Sequence, residues 1–204
     1  MERDVTIPFD DDRLHGVLTL PTGEGMYPAV VLVAGSEGPT DGRDGVSAQT
    51  FIDHSHRLAG GGFAVLRYHP PGVGRSPGEA ALPSLQRRTE EPAAVLNFLQ
   101  AAPEVAADEV GLLGVSQGGW VIAVTAAQYP DDVAFLVSVV GSGQSVAQQQ
   151  IYGIEAQSRA AGLSEDDVDK AVLFGRLLLD WQISEPMFQD VNEAEAASLG
   201  DGPW

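Results

Sequence analysis

Short, continuous apolar runs alternate along this chain with stretches whose apolar residues recur at helical spacing. Ala29 to Ala34, Phe63 to Tyr68, Val110 to Val115 and Val133 to Val140 are runs of the first kind. A strand covered on both faces needs no alternating polar positions, so such runs predict the inner strands of a parallel sheet. Asp4 to Phe9 and His15 to Pro21 flank Asp10-Asp11-Asp12 and predict a hairpin. Val46 to Leu58 reads as a helix. Ala93 to Gln100 places Val95, Leu96 and Leu99 on one helical face, with Pro92 suited to its first turn. Gln117 to Gln128 follows a strand directly and reads as a helix. Strands alternating with helices predict the α/β class: a mostly parallel sheet of about six strands flanked by helices.

The character changes after residue 144. Residues 1–144 carry the sheet pattern, and residues 145–204 contain no convincing strand and read as a helical segment of the same domain. Ser164-Glu165-Asp166-Asp167 resembles a capping box opening a helix. That helix carries Val168, Val172, Leu178 and Leu179, with Phe174 and Trp181 nearby. Two readings stay open: lid-like helices over a pocket, or the plainer one of a peripheral helix packed on a sheet.

Composition narrows the function classes. At 204 residues the chain has the size of one domain with a real core. With 44% hydrophobic and 20% charged residues it reads as neither disordered nor membrane-spanning. Met-Glu-Arg-Asp opens the sequence without an apolar signal region, so a cytoplasmic location is expected. No cysteine is present, which excludes disulfides, thiolate zinc sites and a cysteine nucleophile. The net charge is -18, from 29 acids against 11 bases, and Lys170 is the one lysine. Such a surface repels phosphate backbones and anionic lipid, so neither nucleic acid nor membrane is expected as a partner. Many carboxylates with almost no lysine also fit a salt-adapted source. No cofactor and no metal are expected.

Gly114-Val115-Ser116-Gln117-Gly118 matches G-x-S-x-G. The motif alone is weak, but it directly follows an apolar strand and directly precedes a helix, the placement a nucleophile elbow requires. A serine on that cramped turn projects above the sheet. The Gln117 N–H, at the start of the helix, then faces the oxyanion that develops on an attacked carbonyl. Ala34-Gly35-Ser36-Glu37-Gly38 follows another strand and offers a second backbone donor, from Ser36. Ser116 is therefore the candidate catalytic nucleophile, and the Gln117 and Ser36 amides are the candidate oxyanion hole.

Three segments resemble the α/β-hydrolase superfamily, in particular small esterases and acyl hydrolases grouped with dienelactone hydrolases, serine aminopeptidases and prolyl-oligopeptidase-like enzymes. They are the run from Ala29 through Asp41, the run from Gly62 through Ser76, and Gly114 to Gly119. The chain departs from the family pattern at Ala34, usually histidine; at His69, usually aspartate; and at Pro71, usually arginine. The resemblance implies an α/β-hydrolase fold, a small-molecule ester or acyl substrate, and an acyl-enzyme formed on Ser116.

The same resemblance implies a triad in the order serine, acid, histidine. The histidines are His15, His54, His56 and His69, and none follows Ser116. His69 is the candidate substitute base, against a favoured reading as a loop-packing histidine. His54 and His56 have H-x-H spacing, but in a helix such positions diverge, and solvated helix residues are the favoured reading. The family's last strands, with the acid and the histidine, are expected to be missing, which makes the chain a truncated hydrolase that is weak or inactive alone. Val133 to Val140 would then be an exposed apolar edge, open to self-association or a complementing chain. Two other readings compete: a non-catalytic remnant or interaction protein on the same scaffold, and a nucleotide-binding sheet suggested by the partial match Gly141-Ser142-Gly143-Gln144-Ser145-Val146.

Overall fold

A computed structural model of the chain describes residues 1–35, 46–78 and 85–183. It divides into two compact units, Met1–Gly141 and Ser142–Trp204.

The first unit is built on a mixed six-stranded sheet. In chain order its strands are β1 (Glu2–Phe9), β2 (Asp12–Thr19), β3 (Tyr27–Val33), β4 (Ala64–Tyr68), β5 (Val105–Val115) and β6 (Leu136–Val139). Across the sheet they lie in the order β1-β2-β4-β3-β5-β6. The expected hairpin forms: Phe9 pairs with Asp12 across Asp10 and Asp11, and Asp10 takes a positive φ of 52°. A two-residue turn of that hand matches the twist of the flanking strands. β2 joins β4 antiparallel, while β4, β3, β5 and β6 run parallel.

Helices cover both faces. α1 (Val46–Gly60) seats Phe51 against Val30, Leu32, Val65 and Leu113. α2 (Leu85–Gln100) and α3 (Gly118–Gln128) cover the other face, where Val95, Leu96, Leu99, Val121 and Ile122 pack on Val31, Val33, Leu66, Val110 and Leu112. Alternate residues of β3 thus feed opposite cores, which is why its sequence is apolar throughout.

Three expectations need correction. The helix over Ala93 to Gln100 begins at Leu85, so Pro92 lies inside it rather than in its first turn. Its first half is polar, yet Arg88, Thr89 and Glu91 point inward and are buried. Those inward bonds, described below, offset the helical hydrogen bond that Pro92 cannot donate. The strand over Val110 to Val115 begins earlier, at Val105, because the edge of β3 offers Tyr27 as a partner beyond a register shift. Asp108 and Glu109 are exposed there, so the apolar pattern is silent. The run Val133 to Val140 yields a strand only over Leu136–Val139. Val133 instead packs against the core, and Phe135 stacks on Gly111 where a Cβ would overlap its ring. β6 is the last strand of the sheet order, and Leu136 and Val137 are 44% and 41% exposed.

The second unit is a helical pair, α4 (Val146–Ala160) and α5 (Glu165–Ile183). Ser145 and Gln148 form a reciprocal capping box at the start of α4. Ser164 caps α5, its hydroxyl accepting the Asp167 N–H at 3.2 Å and donating to the Asp167 carboxylate at 2.7 Å. Ile154 of α4 rides over Gly175 of α5, where any side chain would collide with it. Arg159 joins Glu155 on its own helix to Glu165 at the start of the next. Among the described residues no helix is long and apolar enough to cross a membrane.

Candidate active site

β5 ends at Val115, and the chain reverses into α3 within two residues. Ser116, on that bend, has a φ of 55° and is exposed. A non-glycine residue in the left-handed region costs about 1–3 kcal/mol and persists only where its surroundings impose it. The surroundings here are explicit. The Ser116 N–H donates to Val139 O of β6 at 2.9 Å, and Ser116 O accepts the Gly119 N–H at 2.9 Å. A Cβ on Gly114 would overlap the Gly118 carbonyl, and one on Gly118 would overlap Val33 O. The two motif glycines are therefore required by close backbone approach: strand, bend and neighbouring strand occupy the space side chains would need.

The end of β3 lies directly on this bend. A Cβ at Gly35 would stand 3.2 Å from Ser116 Cβ, 3.1 Å from Val115 O and 3.6 Å from Gln117 N. Gly35 thus lets the end of β3 touch the backbone of Ser116. Gln117 holds the N-cap position of α3, and among the described residues no acceptor is bonded to its N–H. A donor at a helix N-terminus beside an exposed serine can hold a developing negative charge. Ser36, the second candidate donor, lies outside the described residues.

One buried side chain joins these pieces, and the apolar pattern does not reveal it. Arg88 of α2 is 7% exposed. Its guanidinium donates to Ala34 O at 3.0 Å, to Gly35 O at 3.2 Å and to Gln117 Oε1 at 2.6 Å. One turn on, Glu91 accepts a hydrogen bond from the Tyr68 hydroxyl at 3.3 Å. Burial pushes the Glu91 carboxyl up to about 7, against the pull of the Arg88 charge and the Tyr68 hydrogen bond. Burial first, and then the neighbouring Glu91, push the Tyr68 phenol well above its ordinary value. Thr89, between them, donates to Gln128 at the far end of α3 at 2.9 Å. The polar half of α2 is thus a buried bonding surface against the elbow helix.

His69 follows β4, with β3 between its strand and β5. It is fully buried. Its Nδ1 accepts the Arg75 N–H at 2.8 Å, so the neutral ring carries its proton on Nε2. Its backbone is held on both sides, by His15 O at 2.8 Å and by the Ser76 hydroxyl at 2.7 Å. The His15 and His69 rings lie 5.4 Å apart, and His15 Nε2 lies 3.3 Å from Asp4. The H-x-H pair diverges: His54 turns back to Thr50 O, while His56 meets Glu2 across 3.2 Å.

The family model for X-Pro dipeptidyl-peptidase (S15 family) matches residues 10–197. The chain belongs to the S15 family. Among curated proteins, Esterase EstD of Thermotoga maritima is similar, 42% identical over 69 residues that make up 33% of this chain and 16% of EstD. Solved structures share the fold. The α/β hydrolase GrgF from Penicillium sp. sh18 superposes with a TM-score of 0.60 at 24% identity, covering 78% of this chain and 54% of GrgF. Est1E from Butyrivibrio proteoclasticus, solved with ferulic acid bound, superposes with a TM-score of 0.56 at 23% identity, covering 65% of this chain and 50% of Est1E. The S15 chain described here therefore spans about half the length of these structures. The α/β-hydrolase resemblance drawn from the three sequence segments holds for this S15 member.

Proposed function

We propose that this chain is a serine hydrolase of ester or acyl bonds, with Ser116 as its nucleophile. The observation that carries the reading is the Ser116 bend: an exposed serine at φ 55°, on a strand-to-helix turn whose glycines are dictated by backbone contact. Ser116 Oγ attacks the carbonyl carbon of the substrate, losing its proton to a base. The carbonyl oxygen, now an anion, is held by the Gln117 N–H and by a second backbone donor, the Ser36 N–H. Each such donor is worth about 2.7–4 kcal/mol in the transition state. Collapse expels the leaving alcohol or amine with a proton and leaves an acyl-serine, which water hydrolyses to the acid.

The base is the weak point. No histidine follows Ser116 in these 204 residues. We expect weak turnover or none from them alone, since loss of the base removes about 10⁶ in rate in a serine protease while binding and oxyanion contacts retain about 10³–10⁴ over water.

The test is labelling with a fluorophosphonate, followed by hydrolysis assays on p-nitrophenyl acetate and on an Xaa-Pro p-nitroanilide. Labelling that Ser116→Ala abolishes supports the nucleophile. Failure of the folded chain to label favours a non-catalytic protein on the same scaffold. Turnover of the anilide but not the acetate would move the substrate class from ester to peptide.

A further inference from the structure

We infer that Arg88 is a positioning residue that braces the oxyanion side of this site, holding the end of β3 and the residue after the nucleophile at one fixed spacing. The inference rests on the serine-hydrolase reading for its catalytic meaning, and on geometry for its substance. The two backbone segments that flank Ser116 come from strands far apart in sequence. Gly35 comes within van der Waals reach of Ser116 and of Gln117, the residue after it, and a bridge between the two segments fixes their spacing. Arg88 provides it from a third element. It is a rigid fork with donors at fixed angles, and it reaches two consecutive carbonyls on one segment and a side-chain amide on the other. All three of these acceptors are neutral, so the bonds orient backbone without cancelling the guanidinium charge.

The brace acts on backbone dipoles. Holding Ala34 O and Gly35 O fixes the carbonyl directions of the backbone where β3 meets the Ser116 bend. Holding the Gln117 side chain fixes the first residue of α3, whose N–H is a candidate oxyanion donor. An oxyanion hole acts through preorganisation, and a misplacement of 1 Å can cost about a hundredfold in rate.

The experiment compares wild type with Arg88→Gln, Arg88→Lys and Gln117→Met, which removes the acceptor at the other end and keeps the backbone N–H. Two readouts are taken: the second-order rate of Ser116 phosphonylation, and amide exchange in peptides covering Val31 to Gly35 and Gly114 to Trp120, with β1 and β2 as internal control. Arg88→Gln is expected to slow phosphonylation about a hundredfold. It should also speed exchange in the two site peptides about tenfold, with β1 and β2 unchanged. Arg88→Lys keeps the charge but not the fork and recovers only part of either effect. Gln117→Met, close to the surface, gives a smaller loss, and the double variant with Arg88→Gln loses less than the sum, as coupled partners do.

Unchanged exchange in both site peptides, full recovery by lysine, or additive losses would each overturn the brace. Absence of phosphonylation in the wild type counts against the nucleophile reading instead, and the exchange arm then decides the brace alone.

Discussion

Two connections leave the same end of the sheet, one after β4 and one after β5, and they use buried polar groups in opposite ways. Against the bend after β5 the buried group is Arg88 of α2, and Ser116 itself stands exposed on left-handed backbone. After β4, the buried group is His69 itself, enclosed by Gly74 and held by Arg75, Ser76 and His15. The first arrangement fixes backbone geometry and leaves the serine exposed. The second encloses the imidazole and anchors the backbone that carries it. Sequence proximity to a family motif is shared by both; exposure and strain separate them. An exposed, strained serine over a set of neutral backbone contacts is what nucleophilic chemistry asks for, and a sealed imidazole is what a loop anchor asks for.

The largest expected effect tests whether the elbow is set by backbone contact. Gly118→Ala places a methyl against Val33 O and Ala34 O, and both are held, Val33 by its pairing with Gly114 and Ala34 O by Arg88. We expect a loss upward of about 4 kcal/mol in urea unfolding, the size reserved for strain against backbone. Gly143→Ala, with open space around it, serves as the control and should stay within about 0.5 kcal/mol. A small loss at Gly118 would mean that the bend relaxes freely, and the contrast between the two loops would lose its basis.

The next effect tests the polar half of α2. Glu91 titrates near 7 in the folded protein, above its ordinary value of 4.5. An acid whose folded value is raised stabilises the fold fully below the unfolded value and loses that contribution as pH rises toward the folded one. Stability should therefore fall between about pH 4.5 and 7 and level off above, by about 3 kcal/mol from this group. Glu91→Gln removes the titration, so the difference between variant and wild type should grow across that window and then stay constant. Comparing the two proteins at each pH cancels the general repulsion of a chain with net charge -18. A difference that is flat from pH 4.5 to 8 would show that Glu91 is charged in the fold throughout.

The fold was legible in the sequence where burial is apolar and local. Ala29 to Ala34 and Phe63 to Tyr68 announce inner strands because both faces of β3 and β4 meet apolar side chains. Ser116 was legible because strand, glycine, serine, glycine and helix are adjacent in the chain. Arg88, Tyr68 and Glu91 were not, for a physical reason. Leu85 to Glu91 is polar, and a pattern method assigns polar positions to solvent, whereas here Arg88, Thr89 and Glu91 face inward and bond to residues 29 to 54 positions away or, for Glu91, 23. A buried ionic surface has no periodic signature of its own. The only local hint was Pro92, whose place in a first turn looked sufficient to start the helix. The short β6 was misjudged the same way in reverse: Val133 is apolar because it packs on the core, not because it lies in the strand.

The smallest effect bears on the other loop. His69→Gln keeps an acceptor within reach of the Arg75 N–H but loses ring volume beside His15 and Gly74. A partial refilling of that space should limit the cost to about 1–2 kcal/mol. A residue that only anchors a loop shows up in unfolding and leaves the chemistry at Ser116 alone. Once scaled to the folded fraction, the rate of Ser116 phosphonylation should then match wild type within about threefold, and its pH profile should not shift. A base behaves differently: its removal takes away the proton acceptor, so the rate drops by orders of magnitude in a protein that is still folded. A loss beyond about a hundredfold in folded His69→Gln would make His69 the base of this site and erase the distinction between the two loops.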